Sequence, residues 1–408
     1  MENRTDIVIA GGGLNGTTLA LALSQSGFAV TLVDPLALPE RTDPEFDGRG
    51  YALALSSQRM LNALGAWSEV ARHAQPLLEI KVSDGRPGEG PAPFFLEFHH
   101  AEIEESPMGY MVKDRYLRRA LIAACEAEPK ITMVQEDRVL SYDVRPGGVT
   151  VRLESCTQIA ADLIVGCDGR KSALANLARI KRTAWSYGQT ALVCAVEHEL
   201  PHNGVAHQFF MPGGPLAILP LPGNQSSIVW SEHEDEATRI AALEDEGFLG
   251  ELRPRFGDFL GEISLAGARF SYPLGLSVAD QFVAPRLALV GDAAHGMHPI
   301  AGQGLNAGLK DVAALTEVLT LARRRGEDVG SDGVLERYQR WRRYDVATLV
   351  AATDGFNRLF SNDNPLLRAG RDLSLGLVNS IPGLRRAFIR EAAGLTGELP
   401  LLLQGRVI

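Results

Sequence analysis

Two acidic turns and two glycine-rich segments carry the chemistry legible in this chain. Asp292 stands in Leu287-Ala-Leu-Val-Gly-Asp-Ala-Ala-His-Gly-Met-His-Pro-Ile-Ala-Gly-Gln-Gly-Leu-Asn306, directly after a short apolar run halted by Gly291. A strand that ends in Gly-Asp leaves a carboxylate at the carboxyl edge of a sheet, where α/β folds bind ligands. The turn through Gly302, Gln303 and Gly304 opens a helical pattern from Leu305 and Asn306 onward. Its unpaired N–H groups and dipole suit a partly negative, electron-rich group. A carboxylate for a polyhydroxy chain, beside a helix start for an electron sink, is what a flavin needs.

The second acidic turn lies near the beginning. Asp6-Ile-Val-Ile-Ala runs into Gly11-x-Gly13-x-x-Gly16, a helical stretch from Thr17 to Gln25 follows, and the apolar run Ala29–Val33 closes on Asp34. Gly11 permits a tight turn, Gly13 lets a pyrophosphate approach the backbone, and Gly16 allows close helix–strand packing. Asp34, about 20 residues on, is placed to accept hydrogen bonds from ribose hydroxyls. The glycine triplet alone is weak. Strand, glycines, helix, strand and acid in this order favour an adenine dinucleotide over a structural turn.

Other candidates are weaker one by one. Arg49, before a helical pattern through Met60, Leu61 and Leu64, reads as a dinucleotide contact or as a surface arginine. Arg115 opens a helix expected from Met111 onward, an unusual place for a cation unless an anion is near. Asp168, in Cys167-Asp-Gly-Arg-Lys-Ser172, either faces the dinucleotide or ends a plain strand. His298, followed by Pro299 beside the glycine turn, either touches a substrate or bonds a loop carbonyl. No nucleophile–base set, metal cluster or supported carboxylate pair stands out, which fits chemistry carried by a cofactor.

The elements that must position these residues follow from composition and pattern. A formal charge of −10 argues against a nucleic-acid partner, which needs clustered cations. Cys125, Cys156, Cys167 and Cys194 are far apart and read as reduced thiols. No signal peptide or membrane-spanning run is evident, so a cytoplasmic location is expected. Helical patterns alternate with apolar strands in three separated stretches, whereas Ala191 to Tyr272 is mostly strand-like and carries Phe209, Phe210, Met211 and Trp230. Those side chains suit an aromatic substrate or an ordinary sheet core. Near the end, Arg368, Arg371, Arg385, Arg386 and Arg390 stand among apolar residues against few acids. That pattern suits a peripheral contact with the inner face of a membrane or a helix packed on its own domain.

Gly11–Gly16, Cys167–Ser172 and Gly291–His295 occur in the order seen in single-component flavin aromatic hydroxylases, and the resemblance spans essentially the whole chain. The run His298–Asn306, Phe360–Asp363 and Leu399-Pro400 resemble the ubiquinone-biosynthesis hydroxylases among them. The resemblance implies an α/β fold like that of p-hydroxybenzoate hydroxylase. It would have a Rossmann-type FAD-binding domain (1–75, 108–182 and 285–350), an inserted β-rich substrate domain (76–107 and 183–284) and a C-terminal helical tail (351–408). It implies FAD held by Gly11, Gly13, Gly16, Asp34, Arg49, Arg115, Asp168 and Asp292, with Gly302, Gln303, Gly304, Leu305 and Asn306 behind the ring. The family more often has Glu at the position of Asp34, and Asn at that of Asp114. The implied reaction is hydroxylation of a prenylated phenol with NAD(P)H and O2, through a flavin hydroperoxide. Two rivals use the same cofactor: a reductase or dehydrogenase of an isoprenoid lipid, and a non-catalytic FAD subunit of an assembly of ubiquinone-biosynthesis proteins.

Overall fold

Ile7–Ala10, four aliphatic residues shielded on both faces, forms the central strand β1 of a mostly parallel sheet. The glycine turn then feeds helix α1 (Leu14–Gln25), which ends where Gly27, at φ +99°, turns the chain back into β2 (Val30–Val33). This is a computed structural model, and it describes residues 3–41, 50–88, 90–103, 105, 107–296, 303–360 and 381–408.

The next contributors are α2 (Asp114–Ala127), β3 (Ile131–Val134), β4 (Leu163–Gly166), β5 (Val283–Ala284) and β6 (Leu287–Leu289). The strand order is β5-β6-β4-β1-β2-β3, parallel except for β5. The order reverses at β1, so the crevice beyond the carboxyl ends of β1 and β4 is the expected ligand position of such a sheet. Two long helices, α3 (Gln303–Arg324) and α4 (Asp332–Phe360), complete this layer, and α1 packs on both α3 and α2. The core is a continuous, mainly aliphatic cluster running from Ile7 through Leu163, Ile164 and Val165 to Leu315 and Tyr338.

A second, larger sheet is built mainly from Glu79–Arg86, Gly90–His99, Arg182–His198, Val205–Met211, Gly214–Leu221, Gln225–His233 and Phe270–Ala279. Its edge strand is His295–Gly296, which begins only three residues past Asp292, so the acidic turn bridges the two sheets. Trp230, Phe209 and Met211 are buried in a core with Phe248, and Phe210 in another with Leu55 and Ile389. The ordinary-core reading holds for these four side chains.

Two local expectations change. Gly109–Lys113 is a strand, paired with Gly50–Ala54, and the helix starts only at Asp114, because tertiary pairing captures Met111 and Val112. The helix after the second glycine turn begins at Gln303 rather than Leu305.

Candidate cofactor site

Three turns meet at the carboxyl edge of the parallel sheet: Gly11–Gly13 after β1, Cys167–Gly169 after β4, and Val290–Asp292 after β6. Backbone bonds tie them together, with Cys167 N–H donating to Ala10 O at 2.8 Å and Val290 N–H to Gly166 O at 2.9 Å. Gly11, at φ +100°, lies so close to the next turn that a Cβ would sit 2.4 Å from Cys167 O. A Cβ on Gly16 would be 1.8 Å from Gly11 O, so α1 reaches the strand only without a side chain there. Among the described residues, a Cβ on Gly13 would meet nothing within 4 Å. Gly13 also starts α1 without a side-chain cap, so the helix N-terminus keeps unpaired N–H groups. These features fit a dinucleotide pyrophosphate.

Asp34 is tied into this turn. Gly12 N–H donates to its Oδ2 at 2.6 Å and Leu36 N–H to its Oδ1 at 2.9 Å. Asp168 accepts from Leu174 N–H at 3.1 Å, while its Oδ1 is buried without a partner among the described residues. An orphaned carboxylate oxygen at this edge is a place for a donor from a ligand. Asn15 points its amide between Gly291 and Gly308, where a Cβ on either would lie 2.2 or 2.4 Å from Nδ2.

The Asp292 turn is fixed from behind. Asp311, fully buried on α3, accepts from Gly291 N–H at 2.9 Å, from His295 Nε2 at 2.6 Å and from Arg342 Nε at 2.6 Å. Burial pushes the Asp311 carboxyl up, but His295 and Arg342 outweigh it and hold it below the ordinary aspartate range. From the other sheet, Arg182 donates to the carbonyls of Ala293 and Asp292 and, at 2.9 Å, to Ser277 Oγ. Burial lowers the Arg182 pKa, opposed by Asp292 and Asp168. The Asp292 carboxylate itself stays 41% exposed, paired at 3.2 Å with a similarly open Arg170. Its backbone is held and its side chain is available.

Arg115 lies in the first turn of α2, over the Tyr116 ring, with Nε buried and unpartnered among the described residues. Asp114 is taken by Arg118 in a two-pronged pair at 2.8 and 3.0 Å. Gln303, Gly304 and Leu305 open α3, but the Asn306 amide is spent on Ala54 N–H, Ser57 Oγ and Ala52 O, joining α3 to the strand before Leu55. Arg49, His298, Pro299 and Gly302 lie outside the described residues, as do Arg368 and Arg371 of the tail. Sequence reasoning missed Asp311, Arg342, Arg182 and Asn15. Asp311 and Arg342 had a signal: each stands on the buried stripe of its helix, with Gly308 and Leu315, or with Leu335, Tyr338 and Val346. A charge on an apolar face is almost always a paired one.

A family model described as an FAD binding domain matches residues 4–353. The chain is 44% identical to the ubiquinone hydroxylase UbiL of Rhodospirillum rubrum over 98% of this chain and 92% of that protein. It is 35% identical to the 3-demethoxyubiquinol 3-hydroxylase of Escherichia coli, over 96% and 99%. The chain belongs to the ubiquinone-biosynthesis flavin hydroxylases. The hydroxylase also shares its fold with p-nitrophenol 4-monooxygenase PnpA from Pseudomonas putida, at a TM-score of 0.80 and 18% identity, over 98% of this chain and 100% of that one. It is an FAD-dependent monooxygenase with the expected p-hydroxybenzoate-hydroxylase-like architecture. Among the described residues no helix is long and apolar enough to cross a membrane.

Proposed function

We propose that the hydroxylase oxidises the aromatic ring of a polyprenylphenol intermediate of ubiquinone biosynthesis, with NAD(P)H as reductant and O2 as oxidant. The observation that carries this reading is the convergence of three ligand-ready turns on one sheet edge, in a chain whose relatives are named for ubiquinone hydroxylation. FAD supplies the oxygen-activating chemistry when bound. Gly11, Gly13 and Gly16 admit its pyrophosphate, Asp34 faces its adenosine ribose, and Asp292 takes its ribityl hydroxyls. Asp168 and Arg115 supply an orphan acceptor and an orphan donor beside it. Gly302 to Asn306 back the ring with the start of α3, whose dipole favours negative charge. Arg49 joins this set, and His298 with Pro299 is kept as the candidate for touching the substrate or tuning the ring. One dinucleotide fingerprint leaves NAD(P)H a transient visitor.

Incubating the purified hydroxylase with FAD, NAD(P)H, a prenylated phenol and labelled O2 tests this. One labelled oxygen atom in the ring is expected. Oxygen recovered only as peroxide would sink the monooxygenase reading. Turnover of the lipid without oxygen uptake coupled to product would favour the reductase or dehydrogenase, and no substrate-stimulated NAD(P)H oxidation would favour the non-catalytic subunit.

The chain segments feeding the two sheets support the division into an FAD-binding domain, an inserted substrate domain and a tail. In the tail, helix α5 (Pro382–Ala392) exposes Leu384 and Phe388, with Ile381 just before it. Arg386 is exposed between them, whereas Arg385 pairs with Glu102 and Arg390 with Glu105. This face supports a peripheral contact with anionic lipid, which would place a cytoplasmic enzyme beside its lipid-tailed substrate. Cosedimentation with anionic but not neutral vesicles, weakened by Phe388→Ser, is the expected result; equal recovery with both would remove the basic residues from the contact, and recovery with neither would favour a protein partner.

A further inference from the structure

Arg41 closes the short Leu38–Arg41 helical turn, yet its side chain is only 2% exposed. Its Nη2 donates to the carbonyl of Gly12, in the middle of the first glycine turn. A Cβ on Gly12 would come within 2.6 Å of that nitrogen. The nearest counter-charge among the described residues is Asp34 Oδ1, 3.8 Å from Nε. That carboxylate is already engaged by the N–H groups of Gly12 and Leu36. Burial pushes the Arg41 guanidinium below its ordinary value, which Asp34 opposes and Arg118 reinforces. Arg118 is neutralised by its own partner, Asp114.

A buried cation this loosely compensated is costly. It sits against the turn where α1 begins without a side-chain cap and where Gly13 has room beside it. The glycine fingerprint supplies backbone donors but no formal charge, while a diphosphate brings two negative charges. Asp34 matters here because it is short: a carboxylate drawn onto Gly12 N–H holds the guanidinium over the turn.

We propose that Arg41 is a ligand of the diphosphate–ribose end of FAD, exchanging the Gly12 carbonyl for a phosphate oxygen when the cofactor binds. Asp34 is then a positioning residue for Arg41 as well as a ribose acceptor. The inference rests on FAD occupying this edge and adds a residue that lies outside every motif of the chain.

The test is FAD binding to full-length apoprotein, followed by quenching of flavin fluorescence at low and high salt, for wild type, Arg41→Gln and Arg41→Lys. Arg41→Gln is expected to raise Kd by about 10- to 100-fold and to make Kd less sensitive to salt, since a screened charge contact is gone. Arg41→Lys recovers part of both. Unchanged or tighter binding by Arg41→Gln overturns the proposal, because the arginine would then be a plug. Weaker binding with an unaltered salt dependence, or no rescue by lysine, overturns it too, because the loop rather than the charge would be at work. Wild-type protein that binds no FAD would sink the flavin reading itself, a result distinct from tight wild-type binding untouched by Arg41→Gln.

Discussion

The acidic turns at the two ends of the cofactor edge are built in opposite ways. At the proposed adenosine end the Asp34 carboxylate is itself the fastening: the residue is 8% exposed and ties the glycine turn, through Gly12 N–H, to its own turn, through Leu36 N–H. At the proposed ribityl end the fastening lies behind the turn, in Asp311, Arg342 and Arg182, and the Asp292 carboxylate is left open. An acid can therefore stand in a binding motif for two reasons. One shapes the loop, the other is kept free for the ligand. Substitutions at the two ends should separate stability from affinity.

The largest effect is expected at Asp311. Asp311→Ala leaves Arg342 as a buried charge without this partner and His295 Nε2 unpaired, a loss of about 3–5 kcal/mol in urea unfolding. The folded-state carboxyl titrates below its unfolded value. Its contribution is therefore fully present above the unfolded value, about 4, and fades as pH falls through the lower folded value. Asp311→Asn should flatten that acid limb, and an unchanged limb would place the acid sensitivity elsewhere. Next in size is Asp34→Ala, which strands two backbone donors and loosens Arg41, a cost of about 1–3 kcal/mol in the apoprotein. If apoprotein stability stays within error, Asp34 does not fasten its turn and the contrast between the ends fails.

The adenosine end was legible in the sequence because its rule is local. Strand, three glycines, helix and acid lie within one contiguous stretch, and Gly11 and Gly16 each have a steric reason that the folded chain bears out. The Gly291-Asp292 turn was legible for the same cause. What supports that turn was harder to read: Asp311 and Arg342 show only as charges on the apolar stripes of their helices, with nothing to say that they meet, and Arg182 arrives from a strand of the other sheet. Met111 and Val112 read as helix because their strand partner, Gly50–Ala54, is set by tertiary pairing. Asn306 read as a residue of the helix start, and nothing in its neighbourhood in the chain told that its side-chain amide joins that helix to the strand before Leu55. Periodicity reports which face is buried and is silent about what the buried face meets.

The open end gives the smaller effects. Asp292→Ala should leave apoprotein stability within about 0.5 kcal/mol of wild type, the range of a surface substitution. FAD affinity should fall by about tenfold or more, the value of a charged group lost from a polar ligand contact. Stability falling together with affinity would mean that Asp292, like Asp34, fastens its own loop. Arg170→Ala is the gentlest probe, because its pair with Asp292 is open to water on both sides and salt-screened, worth about 0–1 kcal/mol. If Arg170 only tethers Asp292 before FAD arrives, removing it frees the carboxylate at no cost and Kd changes by less than about twofold. A loss at Arg170 as large as that at Asp292 would show that the two act together on the cofactor, and the ribityl end would then be as cross-linked as the adenosine end.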